Sequence, residues 1–270
     1  MKNKDFLIIG HFAKDLKDNG FSVGGSAFYS GFTAKKLGKN VNILTSFASD
    51  LDNEGILSEF NIDQIPSSVT TTFRNIYRNG KRIQFLYQIA SRITPRYLPK
   101  NWRNPSIVQI APIAQEVDER NLYSFKNSLI GATLQGWLRK RNKNKRVSFC
   151  LWQNYKKFLP KINIAFLGED DFGENLNLIK EFAKFSNILI LTRGKKGCAV
   201  FLQGSQKNFK ARKIKEVDPT GAGDVFAAAY SIKYQQTKNP WESAEFANLI
   251  ASFSVKKGGI KGMPTKEFIL

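Results

Sequence analysis

Histidine occurs once and cysteine twice in this 270-residue chain, which removes most metal and redox chemistry at the outset. Cys150 and Cys198 form no CxxC pair, and His11 stands alone, so neither a zinc site nor a disulfide framework is indicated. No apolar run approaches the roughly 18 residues that cross a bilayer. The charged start Lys2-Asn3-Lys4-Asp5 leads only into Phe6 to Ile9, too short for a signal-peptide core. The expectation is a soluble, cytoplasmic protein of a reducing compartment that does not engage membranes. Acid is also scarce: 22 Asp and Glu against 42 Lys and Arg give a net charge of +20. The basic residues are spread along most of the chain, which reads as a lysine-rich surface rather than a nucleic-acid face. The exception is the block from Arg139 to Arg146, which reads as a solvated turn.

With 42% hydrophobic residues, the chain can bury one large core. Short apolar runs alternate with helical patterns, as in βαβ units around a parallel sheet. Strands are expected at Phe6 to Ile9, Val41 to Thr45, Ser106 to Ile110, Leu129 to Thr133, Ile162 to Leu167 and Asn187 to Leu191. Helices are expected at Gly25 to Leu37, Val117 to Asn127, Asn175 to Phe185, Gly223 to Gln235 and Trp241 to Lys256. Val69 to Ile89 breaks this rhythm, because it is rich in Thr, Ile, Tyr and Phe around Asn79-Gly80, a strong hairpin signal. A second hairpin is expected over Ala199 to Ala211, turning at Gln203-Gly204-Ser205. With no repeat, linker or low-complexity boundary, the economical reading is one α/β domain over residues 1–270, with 69–90 as a small β lid.

The most informative string is Asp218-Pro219-Thr220-Gly221-Ala222-Gly223-Asp224, between the β-like segment Ile214 to Val217 and an apolar helical run. Small residues there let backbone N–H groups approach an anion at a helix N-terminus. A carboxylate beside such a hole would repel a simple phosphate ligand. It makes sense as a general base that takes a proton from an attacking hydroxyl while the amides stabilise the phosphoryl group in transfer. Asp224 capping a Gly-rich turn is the bland alternative.

This string resembles the C-terminal signature of the ribokinase-like (PfkB) carbohydrate kinase family, and the likeness extends over nearly the whole chain. It implies a three-layer α/β/α domain with a mostly parallel sheet and a small β-hairpin lid. It implies ATP with Mg²⁺, a small hydroxylated acceptor (sugar, inositol-like polyol or nucleoside), Asp224 as base, and Gly221, Ala222 and Gly223 as the anion hole. Gly24-Gly25 resembles the family's substrate-facing double glycine, and Asp15 sits where the family places a carboxylate that binds substrate hydroxyls. Thr192-Arg193-Gly194-Lys195-Lys196-Gly197 resembles the nucleotide-side loop, and Asn248 a position beside the adenine. Gly258 to Pro264 resembles a closing loop that, with Asp218, holds a monovalent cation such as K⁺ in some members. Segments Thr71 to Tyr77, Ala111 to Asp118 and Leu134 to Arg139 look most like the inositol-kinase-like branch.

One departure stands out. The family's Asn-x-x-Glu near Mg²⁺ is replaced here by Gly168-Glu169-Asp170-Asp171. Two readings stand for Asp171: an Mg²⁺ carboxylate, or an acid complementing a helix dipole. Arg139 reaches a phosphate or substrate oxygen on one reading and belongs to the solvated basic block on the other. The lid is short for the family, which leaves lid-mediated homodimerisation open. The competing function is a catalytically silent member that binds a nucleotide or metabolite. No motif supports specific nucleic-acid binding.

Overall fold

Strand β1 (Asp5–Ile9) shows how the core is divided: Phe6 and Ile8 join one buried cluster, Leu7 and Ile9 the other. Alternating side chains on a strand buried on both faces require this split. The computed structural model of the chain describes residues 5–51, 55–78, 81–172 and 175–263. After β1 come β2 (Ala13–Leu16), β3 (Phe21–Gly24), α1 (Ser26–Lys36), β4 (Asn40–Phe47), β5 (Asn61–Pro66), β6 (Thr72–Arg78) and β7 (Lys81–Gln88). The middle of the chain forms β8 (Ile107–Ile110), β9 (Leu129–Thr133), β10 (Arg139–Arg141), β11 (Val147–Phe149), α2 (Tyr155–Phe158) and β12 (Ile164–Gly168). The rest is α3 (Leu176–Phe185), β13 (Ile188–Thr192), β14 (Cys198–Leu202), β15 (Ser205–Phe209), α4 (Ala222–Thr237) and α5 (Pro240–Ser254).

Nine strands form the central sheet in the order β15-β14-β13-β12-β9-β8-β1-β4-β5. Pairing is parallel from β5 to β13, and β14 and β15 add an antiparallel edge. Helices α1, α4 and α5 cover the Phe6 face, while α2 and α3 cover the Leu7 face with Trp102, Trp137 and Trp152. Helix α3 follows from its sequence: Asn175 accepts the Leu178 N–H at 3.2 Å, and Leu178, Ile179 and Phe182 form one buried stripe. Truncating the fully buried Phe182 to Ala would cost about 3–5 kcal/mol.

Two of the expected elements need correction. The helix expected from Val117 to Asn127 is a 3₁₀ segment, Glu119–Ser124. There the Asn121 amide donates to the Asp118 and Ile93 carbonyls, a local pairing that competes with helix propagation. The β-like segment Ile214 to Val217 forms no strand; Val217 is 63% exposed and its N–H donates to the Val255 carbonyl. The expected hairpin is present as β6 and β7 but is half of a four-stranded sheet, β3-β2-β6-β7. Its apolar face, Ala13, Phe73 and Leu86, packs on Ile113 and Ala114. The Asn79-Gly80 turn and Pro264 lie outside the described residues.

Nor is the basic block a free turn. It folds as the β10–β11 hairpin, with Arg139 opposite Phe149. Through the Phe85–Arg146 bridge and the Leu86 N–H to Lys145 carbonyl bond (2.8 Å), the hairpin is joined to strand β7.

Candidate active site

The parallel strands point their C-terminal ends to one edge, where open α/β sheets bind ligands. Gly168 and Thr192 close β12 and β13 at that edge and line a cavity of about 280 Å³ with Gln135, Arg139, Glu169, Asp170, Asp171, Arg193 and Gly194. Arg82 reaches the same cavity from strand β7.

Asp171 anchors one side of it. Its Oδ1 accepts from Arg139 Nη2 at 2.8 Å, and its Oδ2 accepts the Gly168 N–H at 2.9 Å. Both charged side chains are about 12% exposed, so the pair is largely desolvated. Arg139 is therefore not a solvated block residue. Asp171 belongs to a 3₁₀ turn, Glu169–Asp171, ahead of α3, so it does not sit in the first turn of that helix.

The Asp218 to Asp224 string lies at the head of α4, close enough for Arg139 and Asp171 to act on Asp224. Gly221 caps α4 at φ 77°, and a Cβ there would lie 2.2 Å from Cγ of Tyr29. Both observations demand glycine. A Cβ on Gly223 would meet open space, as expected where a ligand approaches the backbone. Asp224 is buried in the first turn of α4, bonded to the Ser26 side chain, and Ser26 Oγ in turn accepts from Gln135 Nε2 at 2.8 Å. Burial pushes the Asp224 carboxyl up to about 6, with nearby Asp171 adding to the rise and Ser26 and Arg139 opposing it.

Asp15 projects from β2 beside Gly24, where a Cβ would stand 2.3 Å from its Oδ2. Asn75 Nδ2 donates to its Oδ1 at 3.5 Å. Burial likewise lifts Asp15 to about 6, opposed by Lys17 and Arg82 and assisted by Asp218. Gly25 adopts φ 91° and a Cβ would lie 2.7 Å from the His11 carbonyl oxygen, so this glycine closes the loop onto α1. Tyr29, 5% exposed, links the groups: burial raises its hydroxyl pKa, and Asp15, Asp218 and Asp224 raise it further.

Asp218 behaves differently. Burial would raise it, but N–H donation from Thr220 (2.9 Å) and Gly259 (3.4 Å) holds it below the usual carboxylate range. It thereby ties the 258–259 loop to the signature string.

The sequence-derived nucleotide residues divide into two groups. Thr192 and Gly194 line the cavity, Gly194 at φ 51°. Gly197 (φ 92°) lets the loop fold back, since a Cβ would lie 1.9 Å from the Phe209 carbonyl oxygen. Asn248 is 8% exposed and donates to Cys198 Sγ at 3.5 Å, away from the cavity lining. Ser26, Gln135 and Arg82 escaped sequence reasoning as site residues; Ser26 directly follows the double glycine, and that adjacency was the available signal. Among the described residues no group of three or more His, Cys, Asp and Glu could hold a metal ion, and no helix is long and apolar enough to cross a membrane.

Comparison with known proteins bears on the fold and the family. A probable chloroplastic fructokinase-6 of Arabidopsis thaliana is 32% identical over 116 residues, covering 39% of this chain and 30% of that protein's length. A pyrophosphate-dependent kinase in the ribokinase family, solved with a pyrophosphate analog and myo-inositol, superposes with a TM-score of 0.82 at 22% identity over 94% of this chain and 96% of that one. Arabidopsis thaliana ribokinase, solved with ribose and ATP, gives 0.72 at 16% identity over 98% and 97%. The fold is ribokinase-like. Residues 120–266, which include Asp171, the Thr192 loop and the whole signature string, match the pfkB family carbohydrate kinase pattern. The chain belongs to the pfkB family of carbohydrate kinases.

Proposed function

We propose that this protein transfers the γ-phosphoryl group of ATP to a hydroxyl of a sugar, an inositol-like polyol or a nucleoside, with Asp224 as general base. The observation that carries the reading is the buried Asp224 carboxylate one residue from Gly223, whose Cα faces open space at the N-terminus of α4. The acceptor O–H gives its proton to Asp224 while its oxygen bonds to phosphorus, and the bridging P–O bond of the donor breaks to release ADP. The Gly221, Ala222 and Gly223 amides stabilise the oxygens of the phosphoryl group in transfer. A pKa of about 6 keeps Asp224 mostly ionised at neutral pH, yet more basic than a free carboxylate.

The acceptor lies between Asp15, Gly24 and Gly25, under the lid sheet, and the donor phosphates occupy the cavity of Thr192, Gly194 and Arg139. Asn248 and Gly197 shape the nucleotide side from behind. Asp171 fits Mg²⁺, which takes few carboxylates and retains water; Glu169 and Asp170 line the same cavity. When bound, Mg²⁺ neutralises donor phosphate charge. Asp218, a carboxylate held below the usual range, together with the 258–259 loop, is the place where a monovalent cation such as K⁺ would bind. One kinase domain over 1–270, cytoplasmic and acting on small molecules without nucleic acid or membrane, completes the reading. The short hairpin and its added strands allow a homodimer.

A second reading concerns the donor. Every residue lining the cavity is charged, polar or glycine, and Asn248 is spent on Cys198. Such walls suit a compact polyphosphate better than a purine, which supports pyrophosphate as the donor, the activity named for the inositol-bound neighbour above.

The test is product release (ADP or phosphate) with Mg-ATP or Mg-pyrophosphate across sugars, inositols and nucleosides, beside Asp224→Asn. Stimulation by one acceptor, lost in the variant, is the expected result. Donor binding without turnover on any acceptor would favour a silent binding protein.

A further inference from the structure

Arg139 occupies two structures at once. Its guanidinium lies in the donor cavity, paired with Asp171 at 2.8 Å and nearly desolvated. Its backbone opens β10, and the β10–β11 hairpin is bound to the lid. Leu86 N–H donates to the Lys145 carbonyl (2.8 Å), Phe85 bridges Arg146, and Arg141 Nη1 donates to the Tyr87 carbonyl (3.0 Å). Strand β7, which receives all three contacts, also sends Arg82 into the cavity. A desolvated guanidinium deprived of its carboxylate needs another anion at once. Were Asp171 to hold a cation, Arg139 would lose its carboxylate partner, and the donor's phosphoryl oxygens would be the anion at hand.

We propose that Arg139 is a catalytic residue that contacts the phosphoryl group in transfer, and that the β10–β11 hairpin carries this contact to lid strand β7, so that the donor tightens the lid over the acceptor. This rests on the kinase reading above. Arg suits the task better than Lys because its planar fork can span two phosphoryl oxygens. The span from β10 to β11 is short, turning with Lys145 at φ 63°, and Arg139 is paired with Phe149 across it.

The experiment is hydrogen–deuterium exchange on the full chain, with and without Mg-ATP and Mg-pyrophosphate, paired with turnover. In the wild type, a donor slows exchange in peptides covering 82–88 and 145–149. In Arg139→Ala that protection disappears and kcat falls about 10²-fold or more, with a smaller change in donor KM. Arg139→Lys recovers part of the rate, and millimolar guanidinium restores part of the activity of Arg139→Ala, which a purely structural defect would not allow. Full donor protection of 82–88 in Arg139→Ala, or wild-type kcat in that variant, overturns the inference while leaving the kinase reading intact. Absence of turnover in the wild type on every acceptor would instead count against the kinase reading and take this inference with it.

Discussion

The two ends of the site treat charge in opposite ways. At the donor end, Asp171 and Arg139 neutralise each other at 2.8 Å, and Arg82 and Arg193 are matched by Glu169 and Asp170 around the same cavity. At the acceptor end, Asp15 and Asp224 are carboxylates that burial has raised to about 6, beside neutral Ser26, Asn75 and glycine surfaces. On the proposed function, the first end holds charge that arrives with the ligand, and the second holds a neutral, hydroxyl-bearing molecule and accepts one proton. Tyr29 and Gly221 form the wall where the two meet.

The largest effect separating the ends is expected from Asp224→Asn, which keeps the shape and removes the base. Turnover should drop about 10²-fold or more in a coupled product-release assay, and a near wild-type rate would falsify the proton-acceptor role.

Gly221→Ala tests the wall between the ends. It forces a Cβ to within 2.2 Å of the Tyr29 ring at a left-handed backbone position. The expected loss is about 2–4 kcal/mol in chemical denaturation, with activity following. In a double-mutant cycle, a smaller but still non-zero cost of Gly221→Ala in a Tyr29→Ala background would separate steric clash from the backbone strain left by φ 77°.

Asp15→Asn should raise acceptor KM about tenfold with little change in kcat. An equal fall in kcat would mean that the acceptor end does more than bind.

The smallest effects concern pH. Because Asp224 sits near 6 instead of the ordinary 3.8, kcat/KM should fall as pH drops through about 6. In Asp15→Asn that acid limb should remain, since it belongs to Asp224. Stability runs the other way. A carboxyl whose folded pKa is raised binds its proton more tightly folded than unfolded between roughly pH 4 and 6, so stability declines as pH rises through that window. Asp224→Asn is therefore expected to be more stable than wild type at pH 7.5, by roughly 3 kcal/mol at most. Thermal melts should show the gain vanish towards pH 4.

Much of the frame was legible because it is local. Apolar runs such as Leu129–Thr133 and Ile188–Thr192, and the patterned helices α3 and α5 with Asn175 and Asn239 at their starts, announce themselves at short range. The signature string singled out Asp224 and the Gly221 to Gly223 turn as candidate base and anion hole, and the fold buries Asp224 at the head of α4. Strands β2 and β3 were missed, since Ala13–Leu16 and Phe21–Gly24 are four residues each and half polar. They exist by pairing with each other and with β6 across more than fifty residues of sequence. The basic block misled for a related reason: like charges read as solvated until Asp171, 32 residues away, is placed beside Arg139.

The sequence by itself determined the alternation of strands and helices, the positions of the obligatory glycines and the identity of the carboxylate at the head of α4. Periodicity, φ preference and side-chain chemistry are properties of neighbouring residues. Only the tertiary structure decided which acids are raised, which cation is paired and which loop reaches the cavity. Asp218 and Asp224 lie six residues apart in one string, yet hydrogen bonds from Thr220 and Gly259 hold one low and burial against α1 holds the other high. A pKa is set by desolvation and by distant charges brought close, and both exist only once the chain has folded.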